Sequence, residues 1–371
     1  MHPTATGAGT SGRTRAEVDL GAVRHNVKTL QRKAKDSRVM AVVKADAYGH
    51  GAVEVARACI EAGADSLAVV TVEEGAELRR AGLEVPILIF TDLLPDKLPL
   101  AAEHRLAVTA HSIPSAKRIS THPDLTVHLK VNTGMNRWGV EPSEVGEARK
   151  ILGPQLAGVY THFASADSDA EVTKRQIYCF DSVLAAQPFG RVLVHAANSA
   201  ATLWHPRSHY DLVRPGVALY GLHPAGDKGD SASEDLRPVM ALTSYVAALR
   251  RLARGDGVSY GLTYRAGEPM LAATVPVGYA EGYRRALSGR AEALIRGRRR
   301  PLLGRVTMDA CVFGVDDAVE VGDEVVLLGA QGEERVGAEE LGSRSGTINY
   351  EITTGISPRR VERSHRDVRR P

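Results

Sequence analysis

Cysteine is scarce in this chain. Cys59, Cys179 and Cys311 are its only three in 371 residues, far apart, with no CxxC pair and no Cys/His cluster. That pattern excludes a disulfide scaffold, offers no zinc-ligand spacing or other metal site, and suits a reducing cytoplasm. Long apolar runs are missing too: none reaches the ~20 residues of a membrane-spanning helix. The opening "MHPTATGAGTSGRTR" has no hydrophobic segment and does not read as a secretory signal. Residues 1–14 are expected to be a frayed polar extension. Charge of one sign is not in excess either. The net charge of +3 gives no field that argues for nucleic acid or a membrane surface. The basic end "SPRRVERSHRDVRRP" reads as a solvated tail. No internal repeat is visible.

What is present is a globular composition long enough for two domains, or for one barrel of about 200–250 residues and a smaller partner. Through the first two thirds, short β-branched runs alternate with helical stretches. Candidate strands are "VMAVV" (near 40–44), "SLAVV" (66–70), "PILIF" (86–90), "LAVTA" (106–110), "TVHLKV" (126–131), "LAGVYTHF" (156–163), "RVLVHAA" (191–197) and "GVALYG" (216–221). Helices are expected over 20–35, 52–62, 72–81, 142–152 and 171–186. Strands that are apolar throughout suit a parallel sheet buried on both faces. Eight βα units fit a closed (β/α)8 barrel of the TIM type better than an open sheet. After the turn-rich "HPAGDKGDSASEDLRPVM" (223–240), short strands with glycine turns predict a mostly-β domain. The expected division is 15–238 for the barrel and 239–371 for the β domain with its basic tail. "RGRRRP" (296–301) reads as a charged hairpin and Cys311 as a packed thiol.

Barrel active sites gather at the carboxyl ends of the strands. The polar residues there are Lys44; Lys130, Asn132, Asn136 and Arg137; His162; Asn198 and Ser199; and Arg214 with Gly216. Lys44 stands out, because it ends an apolar run in "MAVVKADAYGHG" and a buried ammonium is costly unless paired or neutralised. A lysine amine there suits condensation with a carbonyl, either of pyridoxal phosphate or of a substrate. Ser199 and the "RPGVALYG" turn could supply donors to a phosphate in the last two βα units. An aldolase-type lysine acting on a sugar phosphate is the weaker alternative. Any one of these residues alone has a structural explanation, and by spacing Tyr260 and Tyr264 could both be core.

Nine segments in order resemble the alanine racemase family: "AVVKADAYGHG", "HLKVNTGMNRWG", "THFASAD", "HAANSAA", "VRPGVALYG", "VSYGLTY", "PVGYAEGY", "GRVTMDACV" and "INYEITTGISPR". They span residues 15–360. The resemblance implies a (β/α)8 barrel followed by a mostly-β domain, pyridoxal 5'-phosphate as cofactor, alanine as substrate, and a cytoplasmic homodimer with shared sites that supplies D-alanine for peptidoglycan. It implies Lys44 as cofactor lysine and base, and Tyr260, from a second subunit, as the opposite base. Tyr48, Ser199, Gly216 and Val217 would contact the phosphate, with Asn198 beside them. Arg214 would face the pyridine nitrogen, with His162 linking towards Tyr260. Arg137 and Met308 would hold the substrate carboxylate. Asp309, Tyr279 and Tyr350 would shape the entrance, and Lys130 would be a carbamylation site that orients Arg137. Thr307 stands where some relatives have cysteine. A broader amino-acid racemase, a decarboxylase of the same fold and a non-catalytic cofactor carrier remain alternatives.

Overall fold

A computed structural model describes residues 14–367. The chain divides into two compact units, Leu20–Arg237 and a second built from residues 14–19 with 238–367.

The first unit is a (β/α)8 barrel. Its strands are β2 (Arg38–Val42), β3 (Ser66–Val69), β4 (Ile87–Ile89), β5 (Val108–Ala110), β6 (Val127–Lys130), β7 (Leu156–Tyr160), β8 (Leu193–His195) and β9 (Leu212–Val213). They pair in parallel in the order β4-β3-β2-β9-β8-β7-β6-β5. The ring closes where Ala107 meets Leu88, with N–H···O bonds from Ile89 to Ala107 and from Ala107 to Ile87, both 2.8 Å. Val39, Ala41, Leu67, Val69, Ile87, Ile89, Val108, Ala110, Val127 and Leu129 are fully buried, since helices cover the outside while side chains fill the inside. The intervening helices include Leu20–Ala34, Ala52–Glu61, Val72–Arg80, Val145–Leu152 and Ala170–Ala186, close to the expected spans. Val72–Arg80 begins with a capping box, in which Thr71 accepts the Glu74 N–H and Glu74 reaches back to Thr71.

The second unit begins with β1 (Arg15–Asp19). Its other strands are β10 (Met240–Tyr245), β11 (Ala248–Leu252), β12 (Gly257–Val258), β13 (Tyr264–Arg265), β14 (Met270–Val275), β15 (Glu292–Ile295), β16 (Arg298–Pro301), β17 (Cys311–Val315), β18 (Glu324–Gln331), β19 (Glu334–Val336) and β20 (Glu362–Arg366). The main sheet runs β16-β15-β18-β10-β1-β20, with β19 on β18; β11-β14-β17 form a second sheet and β12-β13 a third. The charged stretch at 296–301 is a hairpin, turning at Arg296 and Gly297, both at positive φ. Cys311 is buried, and burial pushes its thiol pKa up.

Four expectations need correction. "GVALYG" is not a strand: Val217–Tyr220 is a 3-10 turn, and the last barrel strand is the two-residue β9 before it. Residues 15–19 do not belong to the barrel. β1 pairs antiparallel with β10 (Val18 with Met240) and parallel with β20 (Arg15 with Glu362), because its alternating Ala16 and Val18 need the β domain's core. The basic end is not all solvated tail, since β20 completes that sheet and Arg366 pairs with Glu17 at 2.8 Å. Of the supposed extension, Thr14 is buried and donates to the Pro276 carbonyl. Residues 1–13 and 368–371 lie outside the described residues.

Candidate active site

Lys44 follows directly on Val43 beyond β2, and the chain does something unusual there. Ala45, Asp46, Ala47 and Tyr48 all have φ between 52 and 54° with ψ between 37 and 52°, one turn of left-handed helix. Each such non-glycine residue costs roughly 1–2 kcal/mol, so the turn persists only because its surroundings hold it. Glu74 accepts the Ala45 N–H at 2.7 Å, the Asp46 carboxylate accepts the Ala52 N–H at 2.8 Å, and Gly49 and Gly51, both at positive φ, let the chain leave. The turn holds Lys44 half-buried and carries the Tyr48 ring against Tyr220, with centroids 4.9 Å apart. Burial, then the Arg137 charge, push the Lys44 amine below its usual pKa, while Glu74 pulls it back up.

On the other side of β2 lies β9. Gly216 follows it, and a Cβ there would stand 2.5 Å from the Tyr48 hydroxyl. Ser199 Oγ accepts the N–H of Gly216 (2.9 Å) and of Ala218 (3.2 Å), which gathers the turn around Val217. Asn198 caps the helix Ser199–Trp204, accepting the Ala201 N–H at 3.0 Å, and so sets the position of Ser199. Tyr48, Ser199 and the Gly216–Val217 turn therefore form one polar cradle.

Arg214 is buried, and among the described residues no carboxylate pairs with it. Its guanidinium donates to the carbonyls of Thr161 (2.8 Å) and Ala196 (3.0 Å) and to His195 Nδ1 (2.8 Å), and lies 5.0 Å above the Tyr160 ring. Its contact with His162 Nδ1 is long, 3.4 Å. Burial draws Arg214 down to about 10, and burial with the Arg214 charge holds His162 well below 6.5, as a neutral imidazole.

Lys130 ends β6, 4% exposed, and lies 5.7 Å from the Trp138 ring, which also meets the Arg137 guanidinium at 5.6 Å. Burial, with Arg137, Arg214 and Lys44, brings Lys130 down to about 7. Among the described residues no acidic side chain pairs with it. Arg137 itself is exposed, on a loop shaped by Asn132, which accepts the N–H groups of Gly134 and Asn136. The barrel thus unites Lys44, Tyr48, Lys130, Arg137, His162, Ser199, Arg214 and Gly216 in a cation-rich region where anions are welcome.

The remaining candidates belong to the β domain. Tyr260 opens a tight 3-10 turn between Ser259 (φ 62°) and Gly261 (φ 72°) and is 74% exposed. Tyr264 is instead packed on the cluster of Leu252, Val258, Ala266, Ala272 and Leu303, its hydroxyl on Met270 Sδ. Met308 and Asp309 sit exposed at a hairpin tip held by Thr307, which bonds Ala310 in both directions, and the Met308 carbonyl accepts from Ala280. Tyr279 lines a cleft of about 510 Å³ with Arg284, Arg285, Thr347 and Glu351; Tyr350 is half-buried on the helix Asn349–Thr354.

Sequence reasoning missed Glu74, Trp138, His128 and His195. The two histidines lie within quoted motifs, yet on inward strand positions where an imidazole usually packs. Glu74 had a visible signal, the Thr-x-x-Glu capping box, which says nothing about its second task on the lysine turn.

Comparison with known proteins bears on all of these residues at once. The family model described as alanine racemase, N-terminal domain, matches residues 18–224, and that for the alanine racemase C-terminal domain matches 239–365. Alanine racemase of Symbiobacterium thermophilum is 45% identical, with 94% of this chain and 96% of that protein aligned. Alanine racemase 1 of Bacillus subtilis is 39% identical over 93% and 91%. Among solved structures, alanine racemase from E. faecalis superposes with a TM-score of 0.91 at 36% identity, covering 97% of this chain and 100% of the other. The Bacillus anthracis enzyme with bound L-Ala-P gives 0.87 at 38% identity, covering 97% and 96%. No helix among the described residues is long and apolar enough to cross a membrane. With the two family domains matched over residues 18–224 and 239–365 and near full-length relatives at this identity, the chain belongs to the alanine racemase family of isomerases.

Proposed function

We propose that the protein interconverts L- and D-alanine with pyridoxal 5'-phosphate, as a cytoplasmic homodimer that supplies D-alanine for peptidoglycan. The observation that carries this is the pairing of an amine kept below its usual pKa, Lys44, with the polar cradle of Tyr48, Ser199 and Gly216. The donor set fits the cofactor. Ser199 Oγ already accepts two N–H groups, so its own proton is free to go to a phosphate oxygen. The missing Cβ at Gly216 keeps the Tyr48 hydroxyl side of the cradle open. Arg214 is a cation suited to an unprotonated ring nitrogen.

Bound there, pyridoxal phosphate supplies an electron sink that makes the α-hydrogen of alanine acidic. Lys44, its pKa lowered by burial and then by the Arg137 charge, accepts or returns the α-proton on one face. Tyr260 of a second copy serves the opposite face, a role its exposure permits. Two bases on opposite sides give inversion without turning the substrate over. Arg137 receives the substrate carboxylate, and the β domain of the second copy, through the Met308 backbone with Tyr279, Asp309 and Tyr350, completes its hold and narrows the approach. Arg214 repels a proton from the ring nitrogen and so limits side reactions. His162, held neutral, connects it towards the phenol. Lys130, with a pKa near 7, has enough free amine to add CO2 and release a proton, giving a carbamate anion that orients Arg137.

The experiment is incubation with L-alanine in D2O. The expected result is loss of circular dichroism together with α-deuteration by NMR. Retained handedness with no label would overturn the proposal, and CO2 release would point to a decarboxylase.

A further inference from the structure

Arg214 is held from behind by two imidazoles in series. Its Nη1 lies 2.8 Å from His195 Nδ1, and His195 Nε2 lies 2.8 Å from His128 Nδ1. A guanidinium only donates, so His195 Nδ1 must be bare. Neutral His195 then carries its hydrogen on Nε2 and donates it to His128. That leaves His128 Nδ1 bare and its hydrogen on Nε2. The direction of the whole chain is dictated by one cation. A proton added to either ring would set two N–H groups against each other. Both rings are buried, and burial with the Arg214 charge holds His195 well below 6.5 and His128 at about 4.

The surrounding packing is built for this arrangement. Tyr160 stacks on His195, with centroids 4.7 Å apart and planes 8° apart, beneath the Arg214 guanidinium. On the neighbouring strand β7, Gly158 has no side chain where one would collide with His128. A Cβ there would come within 2.3 Å of Nδ1, the atom that accepts the His195 hydrogen.

We infer that His128 is a positioning residue for Arg214: as the terminal acceptor of the chain it fixes the His195 tautomer, and through it the plane and charge of the guanidinium. This rests on the function proposed above only where catalysis is the readout. Without an acceptor at position 128, the His195 hydrogen has no reason to stay on Nε2. Moved to Nδ1, it faces the Arg214 N–H and drives the guanidinium away. His128→Asn and His128→Leu separate this from a packing role. The two replacements share the same heavy-atom count and branching at Cγ, but only asparagine offers an oxygen near the place of Nδ1.

The first measurement is ¹⁵N NMR of histidine tautomers in the cofactor-loaded protein at pH 7. Both rings are expected neutral, with hydrogen on Nε2; an imidazolium or an Nδ1–H form on either overturns the inference. The second is pyruvate formed per racemisation event, which counts amino groups passed from alanine to the cofactor aldehyde. It should rise about tenfold in His128→Leu, the scale of one unsatisfied buried donor, and stay near wild type in His128→Asn. Equal ratios in the two variants overturn it as well. Should His128→Leu not fold, the wild-type tautomers still decide. A wild-type protein with the expected tautomers but no racemisation would sink the functional proposal and leave this one standing.

Discussion

The carboxylate of Glu74 holds the backbone of Ala45: its Oε1 accepts the Ala45 N–H at 2.7 Å while its Oε2 accepts that of Val70, also at 2.7 Å. One side chain thus ties the left-handed turn after the lysine to the loop after the next strand. Glu74→Ala strips both N–H groups and the reciprocal half of the capping box, the bond from the Thr71 N–H, at once. It should destabilise the protein by about 1–3 kcal/mol and weaken pyridoxal phosphate binding, read by thermal denaturation and by absorbance titration. Glu74→Gln should lower the Lys44 pKa further, because Glu74 is the group that raises it.

The cradle predicts a compensating pair. Gly216→Ala places a methyl 2.5 Å from the Tyr48 hydroxyl, and overpacking of this kind costs about 1–3 kcal/mol, roughly 5- to 150-fold if borne by cofactor affinity. Tyr48→Phe in the same chain removes the colliding oxygen and should recover part of that loss. Affinity losses that simply add would show that the two residues do not meet.

Tyr260 and Tyr264 should part company. Tyr260→Phe is expected to leave thermal stability unchanged, since its ring is mostly exposed on its own chain, and to suppress α-deuteration from the L-enantiomer strongly, since the phenol is the proposed base. Tyr264→Phe loses the bond to Met270 and should cost about 0.5–1.5 kcal/mol with no preference between enantiomers. Denaturation curves and deuterium incorporation check both.

Lys130 sets a pH dependence of stability. Its amine titrates at about 7 when folded and near 10.5 when unfolded. The unfolded chain therefore binds more protons between those values, and stability rises with pH across that window. Below pH 7 the burial penalty is present in full. Lys130→Met should flatten the dependence and stabilise the protein at pH 6 by roughly 1–3 kcal/mol, measured by urea denaturation in CO2-free buffer. A slope unchanged by the substitution would remove Lys130 as its source.

Arg214→Glu should raise pyruvate formation relative to racemisation, because an acidic partner retains a proton on the ring nitrogen that arginine repels. An unchanged ratio would remove that argument.

Much of the barrel was legible in the sequence because its strands are apolar runs between amphipathic helices, the pattern of a sheet buried on both faces. "GVALYG" misled for the same reason, since an apolar run at a strand end cannot by itself be told from a buried turn. The left-handed turn at Ala45–Tyr48 has almost no signal: alanine and tyrosine avoid positive φ, one aspartate among them tolerates it better, and tertiary bonds impose it on all four. Lys44 could be picked out because a charge at the end of an apolar run is a local anomaly. The His195–His128 chain could not, because its meaning depends on Arg214 arriving from another strand.

β1 has a consequence for how the protein is made. RAEVD sits between β10 and β20, so neither edge finds its neighbour until Met240, and then Glu362, has left the ribosome. Leu20–Arg237 is meanwhile contiguous and free to fold. A strand left waiting with both edges bare invites pairing with other nascent chains. Arg15, Glu17 and Asp19, alternating with the two apolar residues, are charges that guard it through that interval.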